Sequence, residues 1–92
     1  MRLDKYLKLA RLVKRRSAAQ EMISIGAVRI NERQCKPSSE VRAGDRVEIA
    51  YPAHILTVEV LCDDETLLKR RDCPQPYEVR EDKRADPAEK PW

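Results

Sequence analysis

Seven cations lie within the first sixteen residues: Arg2, Lys5, Lys8, Arg11, Lys14, Arg15 and Arg16. One acid, Asp4, stands among them. Guanidinium and ammonium groups held in place bind phosphates. Each neutralised phosphate releases condensed counterions, and the planar fork of arginine can grip two phosphate oxygens at once. Such binding needs cations that point one way, not merely many of them. The spacing meets that need twice. The charges are not interleaved with acids four residues away, as they are on a helix whose charge serves only solubility. The Lys14-Arg15-Arg16 run leads straight into a helix start at Ser17, so it is held at a corner, and the free amides there offer a further anion site. The expected contact set is Arg2, Lys5, Arg11, Lys14, Arg15, Arg16 and Ser17, with Lys36 and Arg42 extending it.

Charge is uneven along the chain. Residues 1–50 hold 12 basic and 6 acidic side chains, net +6, and residues 51–92 hold 7 and 10, net −3. The first half is therefore the half that meets a polyanion. Four aromatic residues and no Phe leave little to stack on single-stranded bases, which fits a partner read by shape and backbone, as folded RNA is. Other chemistry is sparse. Asp63-Asp64-Glu65 reads as the acidic first turn of a helix rather than as a general acid–base group, and His54 stands alone. Two glycines cannot build a phosphate-cradling loop, so an enzyme is not expected. Cys35, Cys62 and Cys73 have no C-x-x-C spacing and read as plain thiols, with no metal, disulfide or other cofactor. No apolar run approaches the roughly 18 residues a membrane span needs, and no signal segment is evident. The expectation is a soluble cytoplasmic protein.

These cations must be positioned by a small core. At about 100° per residue, Leu3, Tyr6, Leu7, Ala10 and Val13 fall on one side of a helix and Arg2, Lys5, Lys8 and Arg11 on the other. The helix starts near Asp4 and runs to Arg11 or Leu12. Leu9 and Leu12 miss the stripe; they contact a second helix or mark an end before Lys14. Ser17-Ala-Ala-Gln20 has the form of a capping box, which opens a second helix over residues 18–25 with Gly26 as its left-handed stop. The period then changes to two: a strand over 27–30, a turn at Asn31-Glu32, a partner strand over 33–36, and a loop with Val41 as a core plug and a Gly44-Asp45 turn. Strands follow over 46–51 and 55–61. A short helix after Asp63 and a short edge strand at 77–80 complete the pattern. Residues 81–92 lack an apolar period and read as a disordered tail ending in an exposed Trp92.

The order of helix, basic corner, capped helix, glycine stop, hairpin, Gly-Asp turn and strand is carried by five stretches. They are Arg2–Leu7, Lys14–Ser17, Gly26–Asn31, Lys36–Ser38 and Val41–Val47, the last holding the turn at Gly44-Asp45. Over residues 1–51 this resembles the RNA-binding domain named after small-subunit ribosomal protein S-four, the alpha-L motif. The one departure is Asn31-Glu32 where that family favours Asn-Gly. The resemblance implies an α+β fold, two N-terminal helices packed on a small, mostly antiparallel sheet. It implies an RNA-binding domain at 1–61, an extension at 62–80 and the tail at 81–92. The opening residues and the Tyr77-Glu78-Val79 stretch are further similar to the stand-alone bacterial members of ribosome-associated quality control, relatives of a ribosome-associated heat-shock protein. That likeness implies a non-catalytic monomer. Its partners would be large-subunit rRNA and P-site peptidyl-tRNA on an obstructed large ribosomal subunit, and an Rqc-type protein with which it works while alanine tails are added to the stalled chain. A recycling role of the heat-shock type is the alternative.

Overall fold

Leu3, Tyr6, Leu7 and Ala10 recur at helical spacing, and the helix they drive, α1 (Leu3–Leu9), buries all four. The structure, a computed structural model, describes residues 1–70 and 75–84. Helix α1 is shorter than its stripe. The amides of Leu12 and Val13 both fold back to the Leu7 carbonyl, at 3.0 and 3.1 Å, and Arg11 sits in the left-handed region at φ 63°. Leu9 therefore marks the end of the helix, and Leu12 and Val13 enter the core from the turn that follows.

Helix α2 spans Arg16–Ser24 and presents Ala19 and Ile23 to the core. It begins two residues before the expected Ala18. Arg15 is its N-cap, without a side-chain cap, so the Ser17–Gln20 capping box does not form. Gly26 at φ 82° follows the helix, a conformation that a residue without a Cβ takes freely.

A five-stranded antiparallel sheet forms the second layer. Its strands are β1 (Val28–Ile30), β2 (Arg33–Gln34), β3 (Arg46–Ala50), β4 (His54–Val60) and β5 (Tyr77–Arg84), in the order β2-β1-β3-β4-β5. The β1–β2 turn is the two-residue one expected. Asn31 and Glu32 take φ of 50° and 65°, the doubly left-handed geometry that matches strand twist. Strand β2 is only two residues long, which leaves Lys36 in a loop. Val41 is fully buried, as a plug should be. Asp45 accepts the Arg42 amide at 2.9 Å beside Gly44, whose φ is 95°. Tyr51 lies just beyond β3, half-buried, and donates its hydroxyl to the Leu12 carbonyl at 2.6 Å. A short helix, α3 (Glu65–Leu68), is capped by Asp64, whose carboxylate accepts from the Thr66 and Leu67 amides.

Strand β5 corrects the expected tail. It runs to Arg84 and pairs with β4 along its length, with an irregularity between Thr57 and Val58. Residues 81–84 are thus sheet, not tail. Cys73, Trp92 and the rest of the expected tail lie outside the described residues. Tyr6 ties this late strand to the first helix. Its ring is fully buried, its hydroxyl donates to the Pro76 carbonyl at 2.7 Å, and burial pushes the phenol far above its ordinary pKa. Tyr6→Phe keeps the ring and removes this bond, so it should lower stability by about 1 kcal/mol in urea unfolding. An unchanged midpoint would show that the link contributes nothing.

Candidate nucleic-acid interface

Asp4 is the only charged side chain in the buried interior among the described residues. A carboxylate out of water must be matched by donors, and four residues supply them. Arg2 donates through Nε and Nη2, each at 3.3 Å; Arg16 through Nε at 3.2 Å; Gln20 through Nε2 at 2.9 Å; and the Lys5 amide at 2.8 Å. This is where the missing capping box went. Gln20 turns from the start of its own helix to the buried charge of the neighbouring one. Burial pushes the Asp4 carboxyl up, but the bonds from Gln20, Arg16 and the Lys5 amide outweigh it and hold the group below its ordinary pKa.

The effect is to aim two arginines. Arg2 precedes α1 and Arg16 opens α2, yet both converge on one carboxylate while remaining about half exposed, at 50% and 43%. One negative charge against two positive leaves a net positive spot with fixed geometry. The loop at 36–39 joins it: the amides of Leu3 and Asp4 donate to the carbonyls of Ser39 and Pro37, at 2.8 and 3.2 Å. That contact caps α1 with backbone and brings exposed Lys36 to the same end. Lys36 is fixed in turn by the Ser39 hydroxyl, which accepts its amide at 2.8 Å. Arg15 and Ser17 flank Arg16 and are exposed.

The other expected contacts fall elsewhere. Lys5 is half-buried and ion-paired with Glu65 of α3, which also holds Lys69 at 2.9 Å. Lys5 and Lys69 together hold the Glu65 carboxyl down at about 2. Arg11 and Lys14 line a hollow at the far end of α1 with Lys8 and Lys69. Arg42 pairs with Glu40 at 3.1 Å. The residues weighed for catalysis carry structural contacts. Asp63 accepts the Ala43 amide at 3.3 Å, Asp64 caps α3, and His54 stacks on Tyr51 with ring centroids 4.8 Å apart. Burial pushes the Cys35 thiol up, and its Sγ–H donates to the Val28 carbonyl at 3.3 Å. No cluster of metal-ligating side chains and no helix long and apolar enough to cross a membrane occurs among the described residues.

The depressed Asp4 pKa makes a statement about acid stability. A carboxyl lowered on folding contributes stability that is present above its unfolded pKa, given by the ordinary value of 3.8. That contribution is lost as pH falls through the lower folded value. Asp4→Asn should therefore cost about 1–3 kcal/mol at pH 7 and flatten the fall in stability below about pH 4. An acid limb identical to the parent's would remove Asp4 from this role.

Known proteins resemble this chain in sequence and fold. Residues 1–47 match the S4 domain. A Streptococcus pneumoniae protein named RQC P-site tRNA stabilizing factor is 38% identical over 87 residues, which cover 94% of this chain and 97% of that one. A Bacillus subtilis protein of the same name is 45% identical over 60 residues, 65% of this chain and 70% of its own length. Among solved structures, a trimeric Heat Shock Protein 15 from Vibrio cholerae superposes with a TM-score of 0.75 at 32% identity, covering 86% of this chain and 80% of that one. Sequence and fold agree, from the basic first helix through the sheet: the chain belongs to the S4 domain family, alongside the proteins named RQC P-site tRNA stabilizing factor.

Proposed function

We propose that this chain is a non-catalytic RNA-binding protein that steadies P-site tRNA against rRNA on an obstructed large ribosomal subunit. The observation that carries the proposal is the pair of arginines fixed on Asp4. They hold two half-exposed guanidinium groups on one carboxylate, with exposed Arg15 and Ser17 next to Arg16 in the chain and the loop of Lys36 bonded to the start of α1. Phosphates on a folded RNA are the natural occupants, since a rigid set of donors selects by shape as well as by charge. The names of the relatives support tRNA as one partner. In this reading the protein works in the cytoplasm as a monomer. It keeps the tRNA in place while an Rqc-type partner lets alanine be added to the stalled chain. A recycling role on large subunits is the second reading, favoured by the likeness to Heat Shock Protein 15.

Co-sedimentation with large subunits carrying peptidyl-tRNA tests the assignment. Arg15 and Lys36 are exposed and have no carboxylate partner among the described residues. Arg15→Ala/Lys36→Ala should unfold at the same temperature as the parent yet leave the subunit fraction at a lower salt concentration. Each lost phosphate contact should reduce the salt slope by about 0.7–0.9. Unchanged sedimentation at every salt concentration would refute this surface as the one that binds.

A further inference from the structure

The far end of α1 carries cations that the Asp4 cluster does not use. Two open hollows of about 610 and 560 Å³ adjoin there and share Leu9, Arg11 and Leu68. Lys8, Lys14 and Lys69 rim the first, Arg70 rims the second, and among the described residues no acidic side chain lines either. Lys69 is occupied by Glu65. Lys8, Arg11, Lys14 and Arg70 have no carboxylate in salt-bridge range among the described residues. About nine residues of chain separate Arg2 from Arg11, roughly 13 Å at helical rise, so this group and the Asp4 cluster occupy opposite ends of one helix.

A second observation comes from the backbone. Arg11 follows the α1 C-cap, Ala10, in the left-handed region at φ 63°. Glycine takes that conformation without strain and arginine does not. The chain thus holds a cation where its own helix end would be better served by glycine. Strain of this kind gathers at sites of function. The floor between the cations is apolar, with Leu9, Val13 and Leu68 exposed in part or lining the hollow. Cations around an apolar floor suit a sugar-phosphate backbone, whose phosphates take the charge while its ribose faces rest on the side chains.

We propose that Lys8, Arg11, Lys14 and Arg70 form a second phosphate-binding surface that takes an RNA backbone, between the C-terminal end of α1 and the residues that close α3. This rests on the reading of the chain as an RNA-binding protein. It adds a site that spans the first helix and the C-terminal extension.

Salt-titrated binding of the full chain to a tRNA transcript tests it, with Arg11→Gly, Arg70→Gln and their double variant. Arg11→Gly should melt at or above the temperature of the parent. Each variant should bind more weakly, with the salt slope reduced by about 0.7–0.9 per cation removed. Arg15→Ala/Lys36→Ala, measured alongside, should show its own separate loss. The second surface is overturned if the parent and Arg15→Ala/Lys36→Ala behave as expected while the Arg11 and Arg70 variants keep the parent's slope. It is also overturned if polyglutamate displaces the RNA as well as a second RNA does at matched charge. A parent chain that shows no salt-dependent RNA binding would instead remove the RNA reading on which both surfaces depend.

Discussion

A single buried carboxylate sets the geometry of the basic end of this protein. Isolating an ionised Asp from water costs several kcal/mol unless donors surround it. Here Asp4 receives hydrogen bonds from Arg2, the Lys5 amide, Arg16 and Gln20. Those residues come from the start of α1 and the first half of α2. A contact that links the two helices, beside their apolar packing, is therefore also the contact that fixes the arginines. Packing and the proposed phosphate binding thus rest on one group. Arg16 uses only its Nε on Asp4, which leaves its two terminal nitrogens without a protein partner among the described residues. An ion pair that took up both forks completely would stabilise the fold and leave nothing for a phosphate.

The rest of the fold serves this arrangement from behind. Leu3, Tyr6 and Leu7 seat α1 on the sheet, and Val41 and the 36–39 loop close over its first turn. Tyr6 reaches across to Pro76, so the extension is fastened to the same helix that carries the cations. Lys5 is drawn to Glu65 on that extension as well. Helix α1 thus has one face in the core, one end at Asp4 and the other end beside α3.

What could be read in the sequence was what repeats locally. The stripe at Leu3, Tyr6, Leu7, Ala10 and Val13 is buried as expected, and the left-handed positions at Asn31, Glu32, Gly26 and Gly44 stand where the turns required them. The Asp4 cluster could not be read this way, because its partners lie 12 and 16 residues away and follow no period. Ser17 and Gln20 have the spacing of a cap, in which Gln20 would accept from the Ser17 amide, but the Gln20 side chain is instead turned to donate through Nε2 to the buried charge. Strand β5 was placed only over 77–80, and its second half over 81–84 escaped for the opposite reason. It is an edge strand whose residues from Glu78 to Arg84 are all exposed, so no apolar alternation marks it. The Lys8, Arg11, Lys14 and Arg70 group needed the fold too, since Arg70 is far from the others in sequence.

The account holds that orientation, not the count of charges, makes the binding surface. Asp4→Asn separates the two, because it raises the net charge by one and loosens the two arginines. The deciding measurement is the affinity of the folded Asp4→Asn protein for large subunits carrying peptidyl-tRNA, at fixed ionic strength. The account predicts weaker binding than the parent despite the extra positive charge. Equal or tighter binding would contradict it, and would mean that the cations act by number alone.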